Sequence, residues 1–267
     1  MSRTLGILLA AGKGSRMKSD LPKVLHTVDG VPMARRALEA MWQAGADEVV
    51  LVVGYRQDLV RAEFGDEVKY AEQLEQLGTG HATLAARSFL EAHDGKVLVG
   101  YGDAPLMSST TMRRLLEALD EPGVACSLLS LMTNTPPKAG RIVRDADGRF
   151  QRIVEDQDCT PEQARIREVN VGQYAFDSRA LLTSLEALRP NNAQGEYYLT
   201  DVPEALVGMG HHVEVVGTTN VLETLGVNDR HHLAFAEKVK HIEYAEQLYP
   251  LLDATLEMQR SLQEDAG

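Results

Sequence analysis

Short apolar runs of strand length alternate with segments of helical spacing through the first two thirds of the chain. Leu5–Leu9, Glu48–Val53, Val97–Tyr101 and Val124–Leu131 are the clearest strands. Between them Met33–Trp42, Gln57–Phe64, His81–Ala92 and Thr110–Leu119 place apolar residues at helical intervals. This alternation predicts an α/β fold with a mostly parallel, Rossmann-like sheet covered on both faces. Residues 138–200 read differently: Gly140–Val143, Phe150–Val154 and Glu168–Phe176 predict shorter strands with polar turns. They are expected to form a smaller β-rich insertion that walls a cleft. Residues 1–228 therefore read as the main domain and 229–267 as a C-terminal helical extension, divided at Pro250.

Composition narrows the class. Of 267 residues, 44% are hydrophobic and 25% charged, the balance of a soluble globular protein. The two cysteines, Cys126 and Cys159, imply no disulfide framework and point to a reducing cytoplasm. No run is long enough to span a membrane, and the N-terminal Met-Ser-Arg-Thr carries no signal-peptide pattern. A net charge of −12 argues against a nucleic-acid partner, which needs a basic footprint. It leaves room for an anionic substrate, because local charge and backbone dipoles decide that.

In an open parallel sheet, ligands sit beyond the carboxyl ends of the strands. There Leu9-Ala10-Ala11-Gly12-Lys13-Gly14-Ser15-Arg16-Met17 runs from a buried strand into a glycine loop, with Pro22-Lys23 following. Glycines let consecutive amides approach an anion. Lys13, Arg16 and Lys23 add mobile charge where a triphosphate would lie. The string lacks the four-residue spacing before Gly-Lys-Ser/Thr that a Walker loop needs, and Met17 stands where the third glycine of a dinucleotide fingerprint belongs. Asp103 ends another buried strand, where it either holds Mg²⁺ against phosphates or caps the next helix ahead of Pro105. Asn228 offers a neutral oxygen to the same metal, or serves as a turn. Gln73 and the Gly78-Thr79-Gly80-His81 turn suit the edge of a pyrimidine. His81 is not expected to act as a base, because nucleotidyl transfer needs little proton chemistry. The pairs His211-His212 and His231-His232 lack a third ligand pattern and are expected at the surface.

Seven stretches, in order, resemble the N-acetylglucosamine-1-phosphate uridylyltransferases. They are Leu9–Met17 with Pro22–His26, Gln76–Ala82, Tyr101–Asp103, Gly140–Ile142, Ile153–Glu155, Asn191–Asp201 and Gly226–Asn228. The likeness implies the nucleotide-diphospho-sugar transferase fold and a transfer from UTP to a sugar-1-phosphate, with Mg²⁺ as cofactor. It implies that Leu9, Ala10, Ala11, Gly12, Gly14, Gln73, Gly78, Thr79, Tyr101 and Gly102 surround the nucleotide. Lys13, Arg16 and Lys23 would face phosphates, Asp103 and Asn228 the metal, and Gly140, Glu155, Asn170, Tyr198 and Thr200 the sugar. Many family members also carry a C-terminal acetyltransferase β-helix; this sequence shows no hexapeptide repeats, so no acetyltransferase activity is expected. Ala139 stands where the family has Tyr, and Val171 where it has Thr, so another hexose- or hexosamine-1-phosphate is the alternative acceptor. A non-catalytic sugar-nucleotide sensor is the alternative outside enzymes. The oligomeric state, monomer or dimer, is left open.

Overall fold

The computed structural model describes residues 3–244. The expected second helix beyond Pro250 lies outside them. The chain begins with β1 (Thr4–Leu9), whose six residues are all buried. A small hairpin, β2 (Thr27–Val28) and β3 (Val31–Pro32), leads into α1 (Met33–Ala44). Then come β4 (Glu48–Val53), α2 (Gln57–Phe64) and β5 (Lys69–Glu72). Two short helices follow, α3 (Thr79–Leu84) and α4 (Arg87–Glu91), and then β6 (Lys96–Tyr101) and α5 (Ser109–Ala118). The second half holds β7 (Val124–Met132), β8 (Arg141–Arg144), β9 (Phe150–Val154) and β10 (Glu168–Asp177). It continues with α6 (Ser178–Ala187), α7 (Val202–Gly208) and β11 (His212–Thr218), and residues 230–244 are helical.

The main sheet runs β11-β7-β10-β6-β1-β4-β5. β1 pairs in parallel with β4 and β6, β4 with β5, and β7 with β11. Burial on both faces explains why these strands read as continuous apolar runs. Alternation along β1 still sorts them by face. Leu5, Ile7 and Leu9 join a core with Leu181, Leu185 and Leu206, whereas Leu8 packs with Leu38, Met41, Phe64 and Leu115. Residues 230–244 cover a smaller cluster, where Ala236 and Val239 meet Val28, Met33 and Leu106.

Two expectations change. Glu168–Phe176 is no strand of a side insertion: β10 runs through the middle of the sheet, antiparallel to both β6 and β7. Only β8 and β9 form the offshoot, hydrogen-bonded to one another and attached to β10 at Val169. The predicted helix His81–Ala92 is two helices and starts earlier, at Thr79. The Ala86 amide bonds to the Thr83 carbonyl, tightening the turn, and the Thr83 hydroxyl bonds back to the Thr79 carbonyl. Such back-bonding competes with the helical ladder and bends it. Of the histidine pairs, His211, His212 and His231 are exposed, while His232 is half-buried and accepts from the Asn228 amide at 3.4 Å.

Candidate active site

Two cavities open side by side at the carboxyl ends of β1, β5 and β6, meeting at Thr79, Tyr101, Asp103 and Glu196. The smaller, of 300 Å³, is walled by Leu9, Ala10, Ala11 and Gly12 on one side and by Gln73, Gly78 and Thr79 on the other. Parallel strands deliver both walls. The Ala10 amide bonds to the Val52 carbonyl and the Gly102 amide to the Leu9 carbonyl, which holds the ends of β4, β1 and β6 together. Gln73 is buried; its Nε2 donates to the Gly78 carbonyl at 3.0 Å and lies 3.1 Å from His81 Nδ1. His81 is thus engaged by Gln73.

Four charged and polar groups converge below this wall. Lys23 Nζ contacts Asp103 Oδ2 and donates to Asn228 Oδ1 at 3.2 Å, and Arg16 donates to the same Asn228 oxygen at 3.0 Å. Asn228 reaches this point because the Val227 amide bonds to the Asp103 carbonyl, pinning the two segments together. Gly14 has φ +64° and lies so close to Lys23 that a Cβ there would sit 2.5 Å from the Lys23 Cβ. The glycine thus permits the loop to fold down on the lysine stem. Neither Arg16 nor Lys13 lines either cavity, and Lys13 joins none of these contacts: its ammonium lies 5.5 Å from the Tyr55 ring.

The larger cavity, of 610 Å³, is lined by Gly140, Glu155, Asn170, Tyr198, Thr200 and Asn228. All five residues expected on the acceptor side therefore meet in one hollow with the metal candidate. The Asn170 amide N–H bonds to the Gly140 carbonyl, and its side chain donates to the Tyr174 hydroxyl at 2.7 Å. Thr200 donates to Glu155 at 2.9 Å. Burial raises the Glu155 carboxyl above its usual range, and the Thr200 bond opposes that. Burial, reinforced by Glu155 and Asp103, also pushes the Tyr101 phenol up, so it stays a neutral donor.

Next to Thr200, burial together with Glu204, Glu155 and Asp158 raises Asp201 from 3.8 to about 6. The folded state therefore holds a proton that the unfolded chain has released between pH 4 and 6, so stability falls as pH rises through that window. Asp201→Asn is expected to stabilise the protein at pH 7 by about 1 kcal/mol, allowing for the residue's partial exposure. Melting curves at pH 4, 5, 6 and 7 should flatten relative to the parent; an unchanged slope would rule Asp201 out as its source.

Two further residues shape this site. Glu196 borders both cavities, inside the Asn191–Asp201 stretch. Glu223 is buried and accepts from the hydroxyls of Ser108, Thr111 and Thr218. It ties the segment leading to Asn228 to the start of α5, whose dipole favours a carboxylate there. Glu223→Ala leaves those hydroxyls without their acceptor and should cost about 2 kcal/mol, read as a Tm drop of about 4–8 °C, with Glu223→Gln restoring part of it.

A nucleotide-sized hollow at strand ends, joined to a polar acceptor hollow across a patch of cations, is the layout of a nucleotidyltransferase. Residues 6–204 match the family described as MobA-like NTP transferase domain, and the chain belongs to that family. It is similar to Bifunctional protein GlmU of Halalkalibacterium halodurans, 45% identical over 239 residues that cover 90% of this chain and 52% of that protein. The proteins of the same name from Geobacillus sp. and Caldanaerobacter subterraneus subsp. tengcongensis are 42% and 44% identical, covering 90% and 91% of this chain and 52% and 54% of theirs. The chain thus spans about half the length of the curated relatives it matches.

Proposed function

We propose that the protein transfers the uridylyl group of UTP to N-acetylglucosamine-1-phosphate and releases pyrophosphate. The observation that carries this reading is the contact of Lys23 with both Asp103 and Asn228 where the two cavities join. The smaller cavity would take uridine, with Gln73 Oε1 offering an acceptor to the pyrimidine edge while its Nε2 is held by Gly78 and His81. The larger would take the sugar, held by Glu155, Asn170, Tyr198 and Thr200.

In this reading a phosphate oxygen of the acceptor attacks the α-phosphorus in line, and the bond to the β-phosphate oxygen breaks. The attacking oxygen is already ionised, so no base is required. Lys23 would balance charge on the transferred phosphoryl group, and Arg16 and Lys13 would face the departing pyrophosphate. No cluster of three His, Cys, Asp or Glu residues that could hold a metal occurs among the described residues. Asp103 and Asn228 supply one carboxylate and one amide oxygen, already gathered round a cation. That donor set fits Mg²⁺, which takes one or two carboxylates and completes its shell with phosphate oxygens and water. When bound, the ion would neutralise phosphate charge.

The test is pyrophosphate release from each of the four nucleoside triphosphates across a panel of sugar-1-phosphates, with and without a chelator. Release confined to UTP with N-acetylglucosamine-1-phosphate, and lost on chelation, is expected. Release with a different sugar would replace the acceptor and keep the chemistry. Silence across the panel, from a folded protein that binds a uridine nucleotide, would favour a sensor.

A further inference from the structure

Gln173 makes an unusual wall for a cavity. Its side chain is 1% exposed, lines the 610 Å³ hollow, and lies over Gly100, where a Cβ would come within 2.6 Å of Oε1. Its Oε1 is buried with no hydrogen-bond partner among the described residues. A buried carbonyl oxygen without a partner costs about 1–3 kcal/mol, so an unpaired one in the wall of a cavity needs an explanation.

Local geometry brings it there. The register of β10 against β7 shifts between Asn170 and Tyr174, so Asn170, Val171, Gly172 and Gln173 together border the hollow. The same hollow is also lined by Ala104, Met107 and Val171, all apolar. The Glu223 carboxylate at its edge is occupied by three hydroxyls. The hollow therefore combines an uncharged amide with apolar surface. A half-turn about its last bond exchanges donor and acceptor, so it can meet either end of a complementary group.

We infer that Gln173 determines acceptor specificity by hydrogen-bonding an uncharged, amide-like substituent of the sugar, whose apolar end rests on Ala104, Met107 and Val171. The inference rests on the reading of this hollow as the sugar-phosphate site. It separates acylamido sugars from plain hexoses, whose hydroxyl fills less of the apolar surface. A site built to pair a polar group discriminates through the penalty of leaving that group unpaired.

The experiment compares the parent with Gln173→Leu, which keeps the volume and removes the amide. Affinities for N-acetylglucosamine-1-phosphate and glucose-1-phosphate are measured by calorimetry, and kcat and KM for both by pyrophosphate release. In the variant the acylamido sugar should lose about 10–100-fold in affinity and in kcat/KM, chiefly through KM, with glucose-1-phosphate changed less than about threefold. Because an unpaired buried oxygen is removed, the melting temperature should hold or rise. Gln173→Asn, which keeps the amide on a shorter stem, should recover part of the preference. Equal losses for both sugars, or a parent that binds them equally, would overturn the inference. Selective binding by the parent, lost in the leucine variant, would support it even if no sugar were turned over. That combination would instead remove the proposed transferase reaction.

Discussion

Lys23→Ala is expected to lower kcat by about 10²–10³ while changing the KM of either substrate far less. The size follows from losing one preorganised charge at a site where negative charge moves during reaction. Lys23 Nζ is the group that touches both Asp103 and Asn228, and its side chain is only 15% exposed, so bulk water cannot replace it. Arg16 is too far committed to compensate, being bonded to Asn228 from the other side. Arginine at position 23 should restore little, because a planar fork does not fit between two oxygens that converge on one ammonium. Asp103→Ala should show a loss of the same order, together with a raised requirement for the divalent ion. Steady-state pyrophosphate release with a circular dichroism check of folding reads both. A fall in kcat below tenfold for Lys23→Ala would reduce the lysine to a structural counter-ion of Asp103.

Much of this site could be read along the chain because its walls follow strand ends. β1 and β6 are buried on both faces, so their apolar runs stop where the polar loop begins, and Gly12 and Asp103 fall directly after them. What resisted reading depends on distant segments. β10 looks like any short β-prone stretch, and only its pairing with both β6 and β7 makes it central. Glu223 sits in an ordinary Val-Leu-Glu-Thr run, and its partners come from residues 108, 111 and 218, which no local spacing connects. Gln173 lies within the register shift of β10 against β7, which no local pattern marks. Lys13 shows the reverse case: its place in the loop suggests a phosphate, yet in the free protein it rests on Tyr55.

Gly78→Ala should be strongly damaging for a single methyl group, because it strikes the seam between the two hollows. Gly78 has φ +110°, and a Cβ there would lie 2.5 Å from the Tyr197 carbonyl oxygen and 2.9 Å from its nitrogen. Both obstacles are backbone, and that backbone is held: Tyr197 donates to the Leu77 carbonyl, Gly80 to Tyr197, and Leu199 to the Thr79 hydroxyl. Relief therefore requires the whole Tyr197–Thr200 segment to move. Overpacking and an unfavourable φ together should cost about 3–4 kcal/mol, a Tm drop of about 6–15 °C. Moving that segment displaces Gln73's acceptor at Gly78 on one side and Tyr198 and Thr200 on the other. The KM values for UTP and for the sugar phosphate should therefore rise together, by about tenfold or more each. Gly195→Ala is the control, since its φ is also positive at +67° yet nothing lies within 4 Å of a Cβ there. It should cost only about 1–2 kcal/mol of backbone strain and leave both KM values in place. If Gly78→Ala raised the KM of UTP alone, the two turns would be independent and the seam would not couple the substrates.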